Sequence, residues 1–307
     1  MHIAPDLSIA GALVGFLIGL TGMGGGALMT PILIMFFGVA PLAAVSSDLV
    51  ASLFMKPVGA AVHWRRGTVH HRLALWLIVS SVPAAFGGVL LIRALGGSHV
   101  QSTVKVLLGV VLLLTIASML VRNRLTRHVP VVAVSQVKVR PLLTVAIGVF
   151  GGLAVGMTSV GSGTLVIALL LLAYPQLRAG QLVGTDLVQA IPLVGAAALG
   201  HALFGDVKIS VTLSLLVGAI PGVYLGARLS AGRAVGWVRP ILTVVLLASA
   251  VKLVGAPTPL TLSVTGIWVV LQIGAAFAPR ISRRLVIRRI LRQAAAETPS
   301  RTPDAVG

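Results

Sequence analysis

Three stretches of the chain carry no acidic or basic side chain: Leu7 to Ser47, Pro141 to Leu177 and Leu253 to Pro279, spanning 41, 37 and 27 residues. Glycine, proline and small clusters of charge punctuate the apolar runs, and each break marks the end of one helix or the start of the next. The pattern predicts segments over about 7–22, 26–37, 43–63, 73–94 and 102–121, then 141–158, 163–174, 181–203, 209–229 and 236–254, and a last one over 259–278. A hydrocarbon core about 30 Å thick needs about 20 apolar residues per crossing, which most of these segments supply. An all-α polytopic membrane protein is expected.

The second five segments repeat the first. At an offset of 137, Gly11, Gly15, Gly19 and Thr21 fall on Gly148, Gly152, Gly156 and Thr158, and Gly24 and Gly26 fall on Gly161 and Gly163. One inserted residue later, at 138, Asp48, His63, Gly67, Pro83 and Gly88 meet Asp186, His201, Gly205, Pro221 and Gly226. An odd number of segments per half turns the second copy upside down, the plan of many secondary transporters. The chain therefore divides into a first transmembrane repeat (1–121), a basic cytoplasmic linker (122–140), a second, inverted repeat (141–254), a final helix (255–279) and a basic cytoplasmic tail (280–307).

Composition agrees with this reading. Of 307 residues 57% are hydrophobic and only 10% charged, with a mean hydropathy of +1.05, whereas soluble domains carry about 25% charged residues. A soluble enzyme is excluded. The formal charge of +18 would suggest a nucleic-acid partner if it lay on one water-facing module, but the basic residues fall between apolar spans, so no nucleic acid is expected. With the N-terminus outside, the inner stretches hold 19 of the 24 Lys and Arg, the outer ones only Arg93, Lys105, Lys208 and Lys252, and Lys56 lies within a span. That bias predicts N-out, C-in insertion, with the Arg-rich tail as an anchor or an interfacial helix on anionic lipid. Before the first apolar run the ionisable side chains are His2 and Asp6, with no Lys or Arg and no convincing cleavage site, so no cleaved leader is expected. The absence of cysteine removes thiolate metal sites and a cysteine nucleophile.

The densest local signal is Thr21-Gly22-Met23-Gly24-Gly25-Gly26, mirrored by Thr158-Ser159-Val160-Gly161-Ser162-Gly163. Each separates two segments short for a full crossing, as a broken helix or hairpin with its tip inside the protein would. Glycine leaves backbone amides sterically open, and the helix that starts at the tip adds a partial positive charge, a combination suited to anions. Thr21, Gly24, Gly25, Gly26, Thr158, Ser159, Gly161, Ser162 and Gly163, with Ser47 and Thr185 at the start of the following segments, are the candidate substrate-binding residues. Gly11, Gly15 and Gly19 instead have the spacing that lets membrane helices approach closely. No Gly-Lys-Ser/Thr follows either turn, so neither is a phosphate loop.

The glycine turn followed by Pro31, the short helix ending near Gly38, Ser46-Ser47 and Gly184-Thr185, the Gly-x-Val turns at Gly67 and Gly205, Pro83 with Gly87-Gly88, and Pro221 with Gly226 together resemble the TauE/SafE sulfite exporter family. The resemblance covers both halves. It implies a bacterial-type plasma-membrane permease, named for export, that moves sulfite, sulfonates or related sulfur-containing anions without a cofactor. Asp48 and Asp186 depart from the small or neutral polar residues more usual there.

These two acids, from six in the chain, are candidates for proton coupling because ionisable groups inside a membrane are costly to keep. Capping of a helix start beside Ser47 or Thr185 is the alternative role. His63 and His201, closing the third segment of each half, are candidates for gating or interface roles, and His70, His71 and Arg72 read as a solvated basic loop. Acids and histidines are too scattered for a metal site. An intramembrane enzyme would have to use Ser159 or Ser162 with Asp186 or His201, against which the first repeat places Gly22 and Gly25 at the serine positions. Transport is the better reading. The oligomeric state is open.

Overall fold

A computed structural model describes residues 4–21, 25–125, 137–204, 207–229 and 235–273. Gly22, Met23 and Gly24 in the first glycine turn, residues 126–136 of the linker and everything from 274 onward, including the Arg-rich tail, lie outside the described residues. Every regular element described is helical: α1 Pro5–Thr21, α2 Gly26–Phe36, α3 Pro41–Arg65, α4 His71–Gly96, α5 Val100–Leu125, α6 Pro141–Thr158, α7 Leu165–Ala173, α8 Ala179–Phe204, α9 Ile209–Leu229 and α10 Val235–Leu253, with one 3-10 turn at Gly97–His99. A further apolar helix, α11, runs over Thr258–Ile273. The chain divides into two compact units, 1–261 and 262–307; the helices α1 to α10 all belong to the first.

Six of the described helices, α3, α4, α5, α6, α8 and α9, are long and apolar enough to cross a membrane. By contrast, α2 and α7 have 11 and 9 residues, which at 1.5 Å per residue reach only about half a hydrocarbon core. The polarity of the surface is that of a lipid-facing protein. Leu142, Phe36 and Val79 point outward, while Ser46, Ser47, Asp48, Thr185, Asp186 and Gln189 are completely buried.

Close packing of glycine faces sets the helix pairs. A Cβ at Gly11 would lie 2.6 Å from the Leu215 carbonyl oxygen, Gly15 and Gly19 press likewise on Ala219 and Val223, and Gly218, Gly222 and Gly226 press back on Ser8, Ala12 and Phe16. The same device recurs between α6 and α4, where Gly148, Gly152 and Gly156 meet Leu77 with Ser80, Ser81 and Ala85. Leu77, Ser81 and Ala85 are the repeat counterparts of Leu215, Ala219 and Val223, so both interfaces use equivalent positions. Other packed pairs also exchange: α3 on α9 with α8 on α4, α2 on α3 with α7 on α8, and α5 on α7 with α10 on α2, while α3 packs on α8 and α5 on α10.

Two sequence expectations are corrected here. Asp48 and Asp186 do not cap helices, because α3 starts at Pro41 and α8 at Ala179, two turns earlier; proline suits a first helical position and the apolar face continues without a break. His70 is not a solvated loop residue. It is buried, its Nδ1 accepts the Leu73 amide at 3.2 Å to cap α4, and its Nε2 meets the Val137 carbonyl at 3.1 Å, while His71 and Arg72 are exposed.

Candidate functional site

The second glycine turn is built by backbone that only small or flexible residues accept. α6 ends at Thr158, Ser159 follows with φ +61°, and Gly161 and Gly163 take φ +134° and +91°. Positive φ at these positions reverses the chain before α7 begins at Leu165. Thr158 is spent on this turn: its hydroxyl donates to the Ala154 carbonyl at 2.7 Å and accepts the Val160 amide at 3.2 Å. Thr21, its counterpart, bonds back to the Leu17 carbonyl at 2.6 Å. Gly26, the first residue of α2, lies directly against the Ser159 carbonyl, leaving no room for a side chain, so the second turn touches the start of the first short helix. Gly25 packs on Ser52 and Met55 of α3.

Polar side chains converge behind that contact. On α3, Asp48, Ser52 and Lys56 recur every four residues, one helical stripe, and all three are buried. The Asp48 carboxylate accepts the Ser159 hydroxyl in a short hydrogen bond and the Thr30 hydroxyl of α2 at 3.2 Å. Lys56 Nζ donates to the Ser162 hydroxyl at 2.9 Å, and its charge faces both Asp48 and Asp186. On α8, Asp186 accepts from Gln189 Nε2 at 2.8 Å, the Gly163 amide faces the same carboxylate, and the Ser81 hydroxyl of α4 donates to Gln189 Oε1 at 3.1 Å. One oxygen of each acid, Asp48 Oδ1 and Asp186 Oδ2, is buried without a hydrogen-bond partner, as is the Thr164 hydroxyl. An unpaired buried carboxylate oxygen is costly in any protein, and here two of them lie in one cluster.

Of the sequence candidates, this cluster gathers Gly25, Gly26, Ser159, Gly161, Ser162, Gly163, Asp48 and Asp186. Ser47 and Thr185 face elsewhere: the Ser47 hydroxyl lies 3.5 Å from the Lys208 carbonyl, and Thr185 accepts the His70 amide at 2.9 Å, so they tie α3 and α8 to the segments that lead into α9 and α4. His201 is buried between Ser46 and the Gly156 carbonyl, each at 2.8 Å, and lines a cavity of about 150 Å³ with Arg93 and Phe204. Arg93 stacks over Phe204 at 5.0 Å at the same place. His63, half-buried, pairs locally with Thr68 at 3.0 Å. Neither histidine reaches a serine of the glycine turn, so the serine–histidine pairing of the enzyme alternative is not formed.

Sequence reasoning passed over Lys56, Thr30, Gln189 and Ser81. The signal for Lys56 was present, since a cation within an apolar span is a functional candidate in its own right; the three neutral residues carried none, because their partners lie on other helices. Among the described residues no group of three or more His, Cys, Asp or Glu could hold a metal ion.

A helical membrane protein with two short half-helices and a charged, sealed cluster between its long ones has the architecture of a secondary transporter. The chain belongs to the sulfite exporter TauE/SafE family, whose model matches residues 7–253. It is 38% identical over 256 residues to the probable membrane transporter protein YjnA of Bacillus subtilis, covering 81% of this chain and 99% of that one. It is 24% identical to the probable membrane transporter protein YdhB of the same organism, over 70% of this chain and 86% of that one, and 26% identical to a probable membrane transporter protein of Xylella fastidiosa, over 72% and 82%. No solved structure matches it. The protein is a membrane transporter of this family.

Proposed function

We propose that the protein exports small sulfur-containing anions, sulfite or sulfonates, across a bacterial plasma membrane, and that Asp48 and Asp186 carry protons coupled to that movement. One observation carries the reading: the second glycine turn, the start of α2 and two buried acids with unpartnered oxygens meet at one point. Half-length helices starting at such a point aim amide dipoles into it, which favours an anion, and a carboxylate next to an anion must be neutralised or move away. The exchange of packed pairs between the halves supports an inverted duplication, with the cluster near the bilayer midplane and alternating access by rocking of one half against the other. The cation bias supports an outer N-terminus and an inner C-terminus. Under this orientation the cavity at Arg93, Phe204 and His201 opens to the outside and serves as the exit vestibule.

Proteoliposomes preloaded with sulfite, methanesulfonate, sulfate or chloride test this. Outward flux of sulfite or methanesulfonate, accelerated by an inward proton gradient, is expected; flux of chloride alone would sink the substrate assignment. The enzyme alternative draws on a different pair, Ser162 with Lys56 at 2.9 Å, a nucleophile and base in contact. A fluorophosphonate probe that labels Ser162 in the native membrane, with no anion flux, would favour it.

A further inference from the structure

We infer that Lys56 is the charged ligand of the transported anion, and that it gives up its contact with Ser162 to an oxygen of a small monovalent oxyanion during the cycle. The inference rests on the anion reading above and deepens it by naming the recognising group. Among the described residues Lys56 is the only Lys or Arg that is buried. An ammonium has three donors, and this one uses a single hydrogen bond, to Ser162. Ser162 accepts there and keeps its own proton to donate, so Lys56 and Ser162 together offer an oxyanion one full charge and a second hydrogen bond.

A purely structural lysine would be a poor choice at this place. A buried ion pair adds little net stability over well-packed apolar side chains, and the repeat shows what the alternative looks like: the counterpart of Lys56 in α8 is Val194, buried in the apolar core. The charge is therefore present once in a duplicated chain, which makes one anion site rather than two. Asp48 and Asp186 are the charged groups that face it, from its own helix and from α8, and they compete with the substrate for the ammonium. Pro57, directly after Lys56, removes the hydrogen bond to the Leu53 carbonyl and lets α3 bend where the lysine must move. A single cation selects single charge. A sulfonate or hydrogensulfite fits, and a sulfate dianion does not.

The test is calorimetric titration of purified full-length protein with methanesulfonate, sulfite, acetate and sulfate, comparing wild type with Lys56→Arg, Lys56→Met and Lys56→Met/Asp186→Asn. The double variant keeps the formal charge of the cluster. Wild type is expected to bind methanesulfonate and sulfite, Lys56→Arg to bind within about tenfold of it, and both methionine variants to bind about 10- to 100-fold more weakly, the range of a hydrogen bond to a charged group. Binding at wild-type strength in the double variant overturns the role of Lys56 and leaves it a charge balancer. If that variant does not accumulate folded, Ser162→Ala reads the same site: about tenfold weaker binding supports the inference and unchanged binding overturns it. Tighter binding of sulfate than of methanesulfonate overturns the valence selection. A wild type that binds none of the four overturns the anion reading itself.

Discussion

The imidazole of His201 and the hydroxyl of Ser46, 155 positions apart in the sequence, lie 2.8 Å from one another inside the protein, and the other ring nitrogen lies 2.8 Å from the Gly156 carbonyl oxygen. A carbonyl can only accept, so Nε2 carries a proton, and the ring braces α3, α6 and α8 through its two nitrogens. His201→Leu strands the Gly156 carbonyl and should lower stability by about 1–3 kcal/mol, seen as a reduced thermal midpoint in detergent. His63→Leu, which loses only a local bond beside a half-exposed turn, should lower it less. Equal losses in the two variants would show that His201 braces nothing.

Adjacent glycines on α4 separate packing from tolerance. A Cβ at Gly88 would lie 2.7 Å from the Leu153 carbonyl oxygen, whereas one at Gly87 meets nothing within 4 Å. Gly88→Ala should reduce the yield of folded protein, and Gly87→Ala should leave it unchanged or raise it, since alanine favours a helix by about 1 kcal/mol. Fluorescence size-exclusion profiles of tagged protein report both. Comparable profiles for the two variants would remove close packing as the reason for these glycines.

The glycine turns divide in the same way. The three atoms nearest a Cβ at Gly25 belong to the side chains of Ser52, Ile18 and Met55, at 3.1 to 3.4 Å, while Gly26 faces the Ser159 backbone. Gly25→Ala should fold and show altered anion flux; Gly26→Ala should fail to accumulate. A folded, active Gly26→Ala protein would mean that the second turn and α2 are not in contact.

Proton coupling predicts a specific failure. Asparagine at Asp48 or Asp186 keeps the hydrogen bonds to Ser159 or Gln189 geometrically possible and removes the titrating proton. Each variant should retain anion exchange while losing most of the acceleration produced by a pH gradient, measured as flux with the gradient on and off. An undiminished response in both variants would take these acids out of the coupling step.

Insertion can be read without any transport assay. A reporter active only in the cytoplasm, fused after Gly307, should be active, and one fused before Met1 should be silent. The opposite pair of results would invert the assignment of Arg93 and His201 to the outer vestibule.

Much of the fold was legible in the order of residues. Glycine, proline and charge end helices through local chemistry, so the punctuation located α6 over 141–158 and α9 over 209–229 and came within a few residues of the described ends elsewhere. Gly11, Gly15 and Gly19 announced a close interface because small residues four apart form one face of any helix. Tertiary structure alone decided the partners. It set Gly19 against Val223 and Gly156 against Ala85, drew Ser159 to Asp48 and Lys56 to Ser162 over 111 and 106 positions, and turned Ser47 and Thr185 toward loops instead of the cluster. Asp48 became a buried group because Thr30 of α2 and Ser159 of the second glycine turn close over its face of α3, partners that nothing local to the residue announces. The physical division is one of range: caps, turns and periodicity act over a few residues, whereas burial, hydrogen-bond partnership and charge pairing are properties of neighbours that the chain brings together only when it folds.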